Sequence, residues 1–462
     1  METSSENPNP WQQPSVTSPA GTKEPGFWEV NRVLIKGILI GTLILVMLIP
    51  SVLISNLVQE RATRQQEVIQ EVSSKWAGPQ TVTGPILMIP YNESTTLSNG
   101  KTQVHKKKAY FLPDQLRIDG KLPTQTRHRS IYDVTLYRAD VNLSGSFDPL
   151  NLASLQIAPD QVLWHEARLI MGLSDARGLE DEVSLQWNDA ALKLEAGVPE
   201  NDLMTSGLNT PVPCSASQAV HFDIRLKVKG SEYFYLTPVG KTTTVALQSP
   251  WKNPAFDGKY IPIGDTAEKS KKGFSASWKI VQASRPYPQS WVNSNQKIAE
   301  SAFGVRLIQP TNSYTKTERS VKYALLFIGL TFAVFFFIEL LQKKQIHPLQ
   351  YLLVGIALSV FYTLLLSFSE YAGFNVAYVI AAGATISLIG LYVWSMFKKG
   401  RIAFGFTLAL SSLYAYIFFL IQLQDYALLF GSIGLFLVVA LAMYSSRKVD
   451  WYNVGKKAAL PS

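Results

Sequence analysis

Long apolar runs occur near the start of the chain and through its last third. The first run covers 33–57, and five more follow within 321–445, at 323–341, 349–369, 374–397, 402–421 and 426–444. Each has about the ~20 residues that one helix needs to cross a hydrocarbon core of ~30 Å. The pattern therefore predicts a membrane protein with an α-helical bundle of six transmembrane helices.

The segment between the first two runs, residues 58–320, begins by continuing the first helix. Its apolar positions keep near-helical spacing as far as Trp76, after which Gly78 and Pro79 are expected to end the helix. Within the first run, Pro50 removes one helical hydrogen bond. We therefore expect a kink or a loosened turn near Pro50.

Beyond that helix, apolar residues recur at every second position, which is typical of half-buried antiparallel strands. This alternation is found at 81–91, 131–147, 219–230 and 241–248. A change of phase near Ala139 predicts a β-bulge, and Asn99-Gly100 and Asp119-Gly120 predict turns. We therefore expect a large mostly-β domain of the sandwich type between helices one and two.

Lysine and arginine alternate between the two sets of turns that join the predicted helices. The basic turns and the C-terminal tail contain Lys343, Lys344, Lys398, Lys399, Arg401, Arg447, Lys448, Lys456 and Lys457. The intervening turns, 370–373 and 422–425, contain neither residue type. Because basic residues are enriched on the cytoplasmic side, the tails 1–32 and 446–462 are predicted to be cytoplasmic and 58–320 extracytoplasmic. Three basic residues before the second helix depart from this pattern: Lys316, Arg319 and Lys322.

The composition narrows the classes of function. Charged residues make up 17% of the chain, below the roughly one quarter found in soluble domains. Cys214 is the single cysteine, which excludes a disulfide scaffold and a cysteine-based zinc or iron–sulfur site. The net charge of +9 is explained by the basic turns, so no nucleic-acid partner is predicted. The tail 1–32 is polar and is predicted to be disordered.

Two short motifs resemble catalytic or nucleotide sites but lack the residues that such sites need. His165-Glu166 begins like a zinc-protease motif, yet no second histidine follows at helical spacing. Gly240-Lys241 resembles the end of a phosphate-binding loop, yet Tyr235 occupies the place of the required upstream glycine. We predict no catalytic residues, no cofactor and no metal.

Ionisable residues within the apolar runs are predicted to lie only near the ends of the helices. Glu339, Glu370 and Asp425 fall at these ends, where water reaches them, and Lys36 can extend to the membrane surface. This placement argues against a proton-coupled pump. The tryptophans of the central segment are interpreted as core residues and membrane-surface contacts rather than as a carbohydrate platform.

Several strings of the chain resemble the CreD family of inner-membrane proteins. They are Trp76-Ala-Gly-Pro-Gln80, Ser174-Asp175-Ala-Arg177-Gly178-Leu179, Ser249-Pro-Trp251, Phe335-Phe-Phe-Ile-Glu339, Ile346-His347-Pro348-Leu-Gln350-Tyr351 and Phe361-Tyr362-Thr-Leu-Leu-Leu-Ser-Phe-Ser-Glu370. The resemblance covers about residues 30–445. It implies a Gram-negative inner-membrane protein linked to cell-envelope integrity, with expression under a two-component system. It implies no enzymatic activity.

The leading hypothesis is a non-enzymatic envelope protein, whose partners are membrane lipids and a periplasmic envelope component. The alternative is a transporter or lipid-handling protein. It requires a cavity among the last five helices, lined by Ser359, Tyr362, Ser367 or Ser387.

A third class, a periplasmic hydrolase, requires His165 or His221 to meet carboxylates in one cleft. His347 is the residue with the strongest case for a special role, because it is predicted to lie beside two lysines at the inner membrane surface, where it could touch headgroups or titrate. A plain turn ended by Pro348 explains the same residues.

Overall fold

A computed structural model describes residues 32–96, 102–198, 203–263, 273–293, 296–307, 309, 313–342, 345–423 and 426–447. The chain divides into two compact units. The helical unit comprises Met1–Asn56 and Lys316–Ser462, and the β unit comprises Leu57–Thr315. The two predicted tails and the Asn99-Gly100 turn lie almost entirely outside the described residues.

The helices follow the predicted apolar runs, except for one short polar helix, Ser313–Lys322, that precedes the second run. They are α1 (Arg32–Val46), α2 (Leu48–Trp76), α3 (Ser313–Lys322), α4 (Ala324–Gln342), α5 (Pro348–Phe397), α6 (Gly400–Gln422) and α7 (Ala427–Ser446). Counting α1 and α2 together, five helices of the described ranges are long and apolar enough to cross a membrane.

The first helix continues to Trp76, as predicted, and it is interrupted at Met47. Pro50 lies three residues later. It has no N–H to donate to Val46, and its ring crowds the carbonyl of that residue. The interruption therefore lies where the proline perturbs the preceding turn, as expected.

The 50-residue helix α5 is two helices joined by a sharp bend at Gly373. Gly373 has φ +73° and ψ 161°, a backbone conformation that suits glycine. The ring centroids of Phe361 and Tyr378 are 5.4 Å apart, whereas 17 residues of straight helix would separate them by about 25 Å. The two halves of α5 therefore pack side by side, and the predicted turn at 370–373 is confirmed.

The strands of the described ranges belong to the β unit. They are β1 (Gln80–Thr96), β2 (Thr102–Phe111), β3 (Gln115–Lys121), β4 (Thr124–Arg129), β5 (Tyr132–Phe147), β6 (Arg168–Leu173), β7 (Val183–Trp187), β8 (Ala190–Ala196), β9 (Gly207–Pro211), β10 (Val220–Ser231), β11 (Tyr233–Thr237), β12 (Thr242–Ser249), β13 (Pro254–Gly258), β14 (Phe274–Val281), β15 (Ser290–Val292) and β16 (Phe303–Leu307).

These strands form one sheet that curls into a nearly closed barrel. Its strand order is β13-β16-β11-β1-β6-β9-β8-β7-β10-β5-β3-β12-β14, with β2, β4 and β15 paired to the side. The end strands approach each other through Phe256, whose ring centroid is 5.6 Å from Phe274 and 5.8 Å from Trp278. The predicted sandwich was wrong, because β8 pairs with both β7 and β9 and leaves no division into two sheets.

Two local predictions for the strands were also wrong. β5 pairs with β10 in unbroken register past Ala139, so there is no bulge there. The phase of the apolar residues changes because β5 is buried on both faces from Val134 to Tyr137. Asp119-Gly120 lies inside β3 rather than in a turn, with Gly120 packed beneath the side chain of Leu247.

The alternation in β10 was interpreted correctly. Its apolar residues are all buried, and the residues that alternate with them from His221 to Lys229 are exposed or half-buried. The buried set is Val220, Phe222, Ile224, Leu226 and Val228. They belong to the continuous core of the β unit, which also contains the fully buried Trp187.

Candidate functional site

A buried ion pair joins α1 to α4 at one end of the helical unit. The Lys36 ammonium donates a hydrogen bond to the Glu339 carboxylate and another, of 2.8 Å, to the carbonyl oxygen of Ile346. Glu339 is only 6% exposed. The expectation that water reaches Glu339 was therefore wrong, and Lys36 is turned toward the carboxylate.

The remaining hydrogen-bonding capacity of Glu339 is also used. Its Oε1 accepts the backbone N–H of Ile346 at 3.0 Å, and its Oε2 accepts the Tyr351 hydroxyl at 2.9 Å. A buried carboxylate is tolerated only when it is paired and hydrogen-bonded. This arrangement, called here the Glu339 cluster (Lys36, Glu339, Ile346 and Tyr351), therefore connects α1, α4 and α5.

His347 has a structural role beside the Glu339 cluster. Its Nδ1 accepts the N–H of Leu349 at 3.2 Å, and its own N–H donates to Gln350 Oε1 at 3.1 Å. Together with Pro348 in the first turn, these bonds cap the start of α5. The two lysines that were expected beside His347 lie outside the described residues.

Turns that were predicted to share one side of the membrane do lie together. Lys399 donates to Gln342 at 3.1 Å, at the end of the unit that carries the Glu339 cluster. At the opposite end, Lys316 donates to Gln422 Oε1 at 3.0 Å, and Gln422 Nε2 donates to Asn375 at 2.7 Å. The contacts support the predicted alternation of turns between the two ends of the helical unit.

The core of the helical unit is aromatic. Its ring contacts involve Phe327, Phe361, Tyr362, Tyr378 and Tyr414. The Tyr378 hydroxyl donates to the carbonyl of Tyr414 at 2.9 Å. By contrast, the buried Tyr362 hydroxyl has no hydrogen-bond partner within the described ranges.

The side chains proposed for a transport cavity do not converge. Ser359 is buried but bonds to the carbonyl of Gly355, one turn earlier in its own helix, at 3.1 Å. Ser367 and Ser387 are exposed on the outer surface of the unit, whereas Tyr362 is in the core. These four residues therefore do not line one common cavity.

We predict that removing two buried tyrosine hydroxyls has different effects on stability. Tyr351→Phe should lower the free energy of unfolding by about 1.5 kcal/mol, because the hydroxyl bonds to a carboxylate. Tyr362→Phe should leave it unchanged or raise it, because no partner loses a bond. Unfolding of the purified protein in detergent, followed by circular dichroism, measures both. A loss of about 1 kcal/mol or more in Tyr362→Phe would contradict this prediction and indicate a bound molecule at that hydroxyl.

In the β unit, a hydrogen-bonded network surrounds Asp175 where α2 ends. Its Oδ2 accepts the N–H of Gly78 at 2.9 Å and the Arg177 guanidinium at 2.8 Å. Arg177 also donates to the carbonyl of Ser74 at 3.0 Å, and Gln80 donates to the carbonyl of Asp175 at 2.9 Å. The Arg177 bonds, followed by the backbone N–H groups, lower the pKa of Asp175 to about 2. Its contribution to stability is therefore present above pH ~4 and lost as the pH falls toward 2.

Trp76, the last residue of α2, lies among three cations. The ring centroid is 5.1 Å from Lys229 Nζ, 5.5 Å from the Arg138 guanidinium carbon and 6.0 Å from that of Arg127. Glu180 pairs with two of them, at 3.0 Å from Arg138 and 3.5 Å from Lys229. The segments around Trp76 and Asp175, which carried the family resemblance, thus meet in one place.

The β unit also has an open cleft of about 590 Å³. Four exposed polar side chains cross it in one row on adjacent strands: Asp140 on β5, Lys121 on β3, Gln248 on β12 and Ser275 on β14. Ser249 and Pro250, from the third resembling string, also line it. The row presents a carboxylate, an ammonium, an amide and a hydroxyl to a ligand.

The histidines considered for catalysis do not lie in that cleft. His165 Nε2 is 3.8 Å from Glu166, whose carboxylate pairs with Lys106. His221 is exposed on β10, and its backbone bonds to Asn188. Within the described ranges, no three His, Cys, Asp or Glu residues are grouped to hold a metal.

The Gly240-Lys241 motif, which resembled the end of a phosphate-binding loop, lies in a turn between strands. Gly240 and Lys241 precede β12 in a turn, where Gly240 N–H donates to Thr243 Oγ1 at 2.9 Å and Lys241 lies 3.8 Å from Asp114. The turn is not followed by a helix, so it does not form a phosphate-binding loop.

Burial raises the pKa of the Cys214 thiol to about 11, which keeps it protonated and unreactive at neutral pH.

Comparison with known proteins identifies the family of this chain. The family model "Inner membrane protein CreD" matches residues 32–452. "Inner membrane protein CreD" of Escherichia coli (strain K12) is 32% identical over 437 residues, which cover 93% of this chain and 94% of that protein. The apolar helices and the strings that meet around Asp175 and the Glu339 cluster fall within the matched region, and the chain belongs to the CreD family of inner membrane proteins.

Proposed function

We propose that this multi-pass inner-membrane protein supports the integrity of the cell envelope without catalysing a reaction. Its β unit is proposed to bind a periplasmic envelope component. The observation that carries the proposal is the open cleft of the β unit, with its row of polar side chains.

The proposed topology has six membrane crossings, with both termini in the cytoplasm. The bend at Gly373 supports counting α5 as two crossings, because a straight helix of 50 residues would be about 75 Å long. The basic residues Lys398, Lys399 and Arg401 support a cytoplasmic location for the end that carries the Glu339 cluster.

Cysteine labelling in intact cells tests this topology. In a Cys214→Ser background, Asp189→Cys in the β unit should react with a maleimide that does not cross the inner membrane. Lys398→Cys should react only after the membrane is permeabilised. Reaction of Lys398→Cys in intact cells, with Asp189→Cys protected, would reverse the proposed orientation.

Site-specific crosslinking tests the binding role. A photoreactive residue at Gln248 in the cleft should capture an envelope component that the same residue at Lys193, an exposed position outside the lining, does not capture. Cells that lack the protein should have a weakened envelope, measured by their sensitivity to detergent. Equal capture at the two positions, together with a normal envelope, would contradict the proposal.

The second candidate function is transport or lipid handling by the helical unit. The buried and unpartnered Tyr362 hydroxyl favours it, because an unsatisfied polar group in a membrane protein is costly unless a bound molecule uses it. Reconstituted protein should then carry lipid or solute across vesicles, and Tyr362→Phe should slow that flux. Equal flux with and without the protein would exclude this function for the molecules tested.

A further inference from the structure

Three basic side chains of α3 lie just before the membrane-spanning helix α4. They are Lys316, Arg319 and Lys322, and α4 begins at Ala324. The contacts of Lys316 show at which end of the helical unit these residues lie. Its ammonium bonds to Gln422 and lies 5.7 Å from the ring centroid of Phe374. This is the end that contains the α5 bend.

Exposed aromatic side chains mark this end as a membrane surface. Tyr371 at the bend is 80% exposed, and Tyr426 at the start of α7 is 62% exposed. Tyrosine and tryptophan are enriched at both membrane–water interfaces, and Trp394 and Tyr444 are exposed toward the opposite ends of their helices. The basic residues of α3 therefore lie close to the level of lipid headgroups.

Within the described ranges, the cations of α3 are incompletely neutralised. Lys322 pairs with Glu318 at 2.9 Å. Lys316 bonds to the neutral amide of Gln422, and Arg319 has neither an ion pair nor a hydrogen bond with a described residue. Lys316 and Arg319 thus have no ion-pair partner among the described residues, at a membrane surface whose short turns contain Glu370 and Asp425 but no basic residue.

We propose that Lys316 and Arg319 bind the phosphodiester of an anionic phospholipid. A guanidinium matches phosphate geometry with two parallel donors, and the ammonium of Lys316 retains donors beyond the one that bonds to Gln422. Each cation near an anionic membrane surface strengthens binding by about fivefold. The inference needs only membrane insertion and holds for either orientation of the protein.

Native mass spectrometry of the full-length protein in detergent tests this inference. The Lys316→Gln/Arg319→Gln variant should bind phosphatidylglycerol at least about tenfold more weakly than the unmodified protein. Binding of phosphatidylcholine should not change. Millimolar inorganic phosphate should not displace phosphatidylglycerol, which separates a lipid site from a phosphate site.

A matched control removes the same charge elsewhere. Lys193→Gln/Lys297→Gln changes two exposed lysines of the β unit and should leave phosphatidylglycerol binding unchanged. If the α3 double variant unfolds, Arg319→Gln alone should weaken binding about fivefold, and Arg319→Lys should restore most of it. Equal phosphatidylglycerol binding by the α3 variant and the unmodified protein, or an equal loss in the control, would overturn the proposal.

Discussion

Lys36→Met should lower the free energy of unfolding of the helical unit by about 3–5 kcal/mol. The substitution keeps an apolar side chain of similar length but leaves the Glu339 carboxylate buried without its cation. An uncompensated buried charge is strongly destabilising. The effect should be larger than that of removing either hydrogen bond of Glu339 alone.

A double-mutant cycle distinguishes the ion pair from packing. Glu339→Gln in the Lys36→Met background should recover part of the lost stability, because a neutral amide costs less to bury than a carboxylate. Lys399→Met removes a cation whose partner is the neutral amide of Gln342, and it should cost less than about 1 kcal/mol. Additive effects of the Lys36 and Glu339 substitutions would contradict a coupled pair.

Gly178→Ala should destabilise the β unit by about 3 kcal/mol. A Cβ atom there would lie 2.4 Å from Gln80 Nε2 and 2.5 Å from the carbonyl oxygen of Lys229. The carbonyl belongs to β10 and has little freedom to move. Relief of both clashes must therefore displace Gln80, whose side chain bonds to the carbonyl of Asp175, and shift the backbone at Gly178 away from β10. Thermal unfolding of the purified protein measures this loss.

Gly78→Ala is the matched control in the same network. A Cβ there would have its nearest neighbour, Asp175 Oδ2, at an ordinary 3.5 Å. Its N–H would still donate to that oxygen, so the free energy of unfolding should change by less than about 1 kcal/mol. Equal losses in Gly78→Ala and Gly178→Ala would show that flexibility of the glycines, rather than the clash, sets the effect.

Features with a local cause could be predicted from the sequence. The helix that ends at Trp76, the break before Pro50 and the bend at Gly373 follow from apolar run length and from residues that interrupt a helix. The buried face of β10 follows from its alternating residues. Each of these features depends on residues close together along the chain.

Features that join distant parts of the chain were missed. Lys36 and Glu339 are 303 positions apart, and Gly78 and Asp175 are 97 apart. The barrel likewise depends on which strands become neighbours, which alternation within one strand does not specify. One signal could have revealed the ion pair. The predicted topology placed Lys36 and Glu339 at the same end of the bundle, and each is a lone charge in an apolar run.

The separation of Lys36 from Glu339 imposes an order on biogenesis. The ammonium is synthesised 303 residues before its carboxylate partner. At about 5–20 residues per second, the ribosome needs roughly 15–60 s to supply that partner. The nascent first helix must therefore persist in the translocation machinery or the bilayer with an uncompensated charge until the later helices arrive.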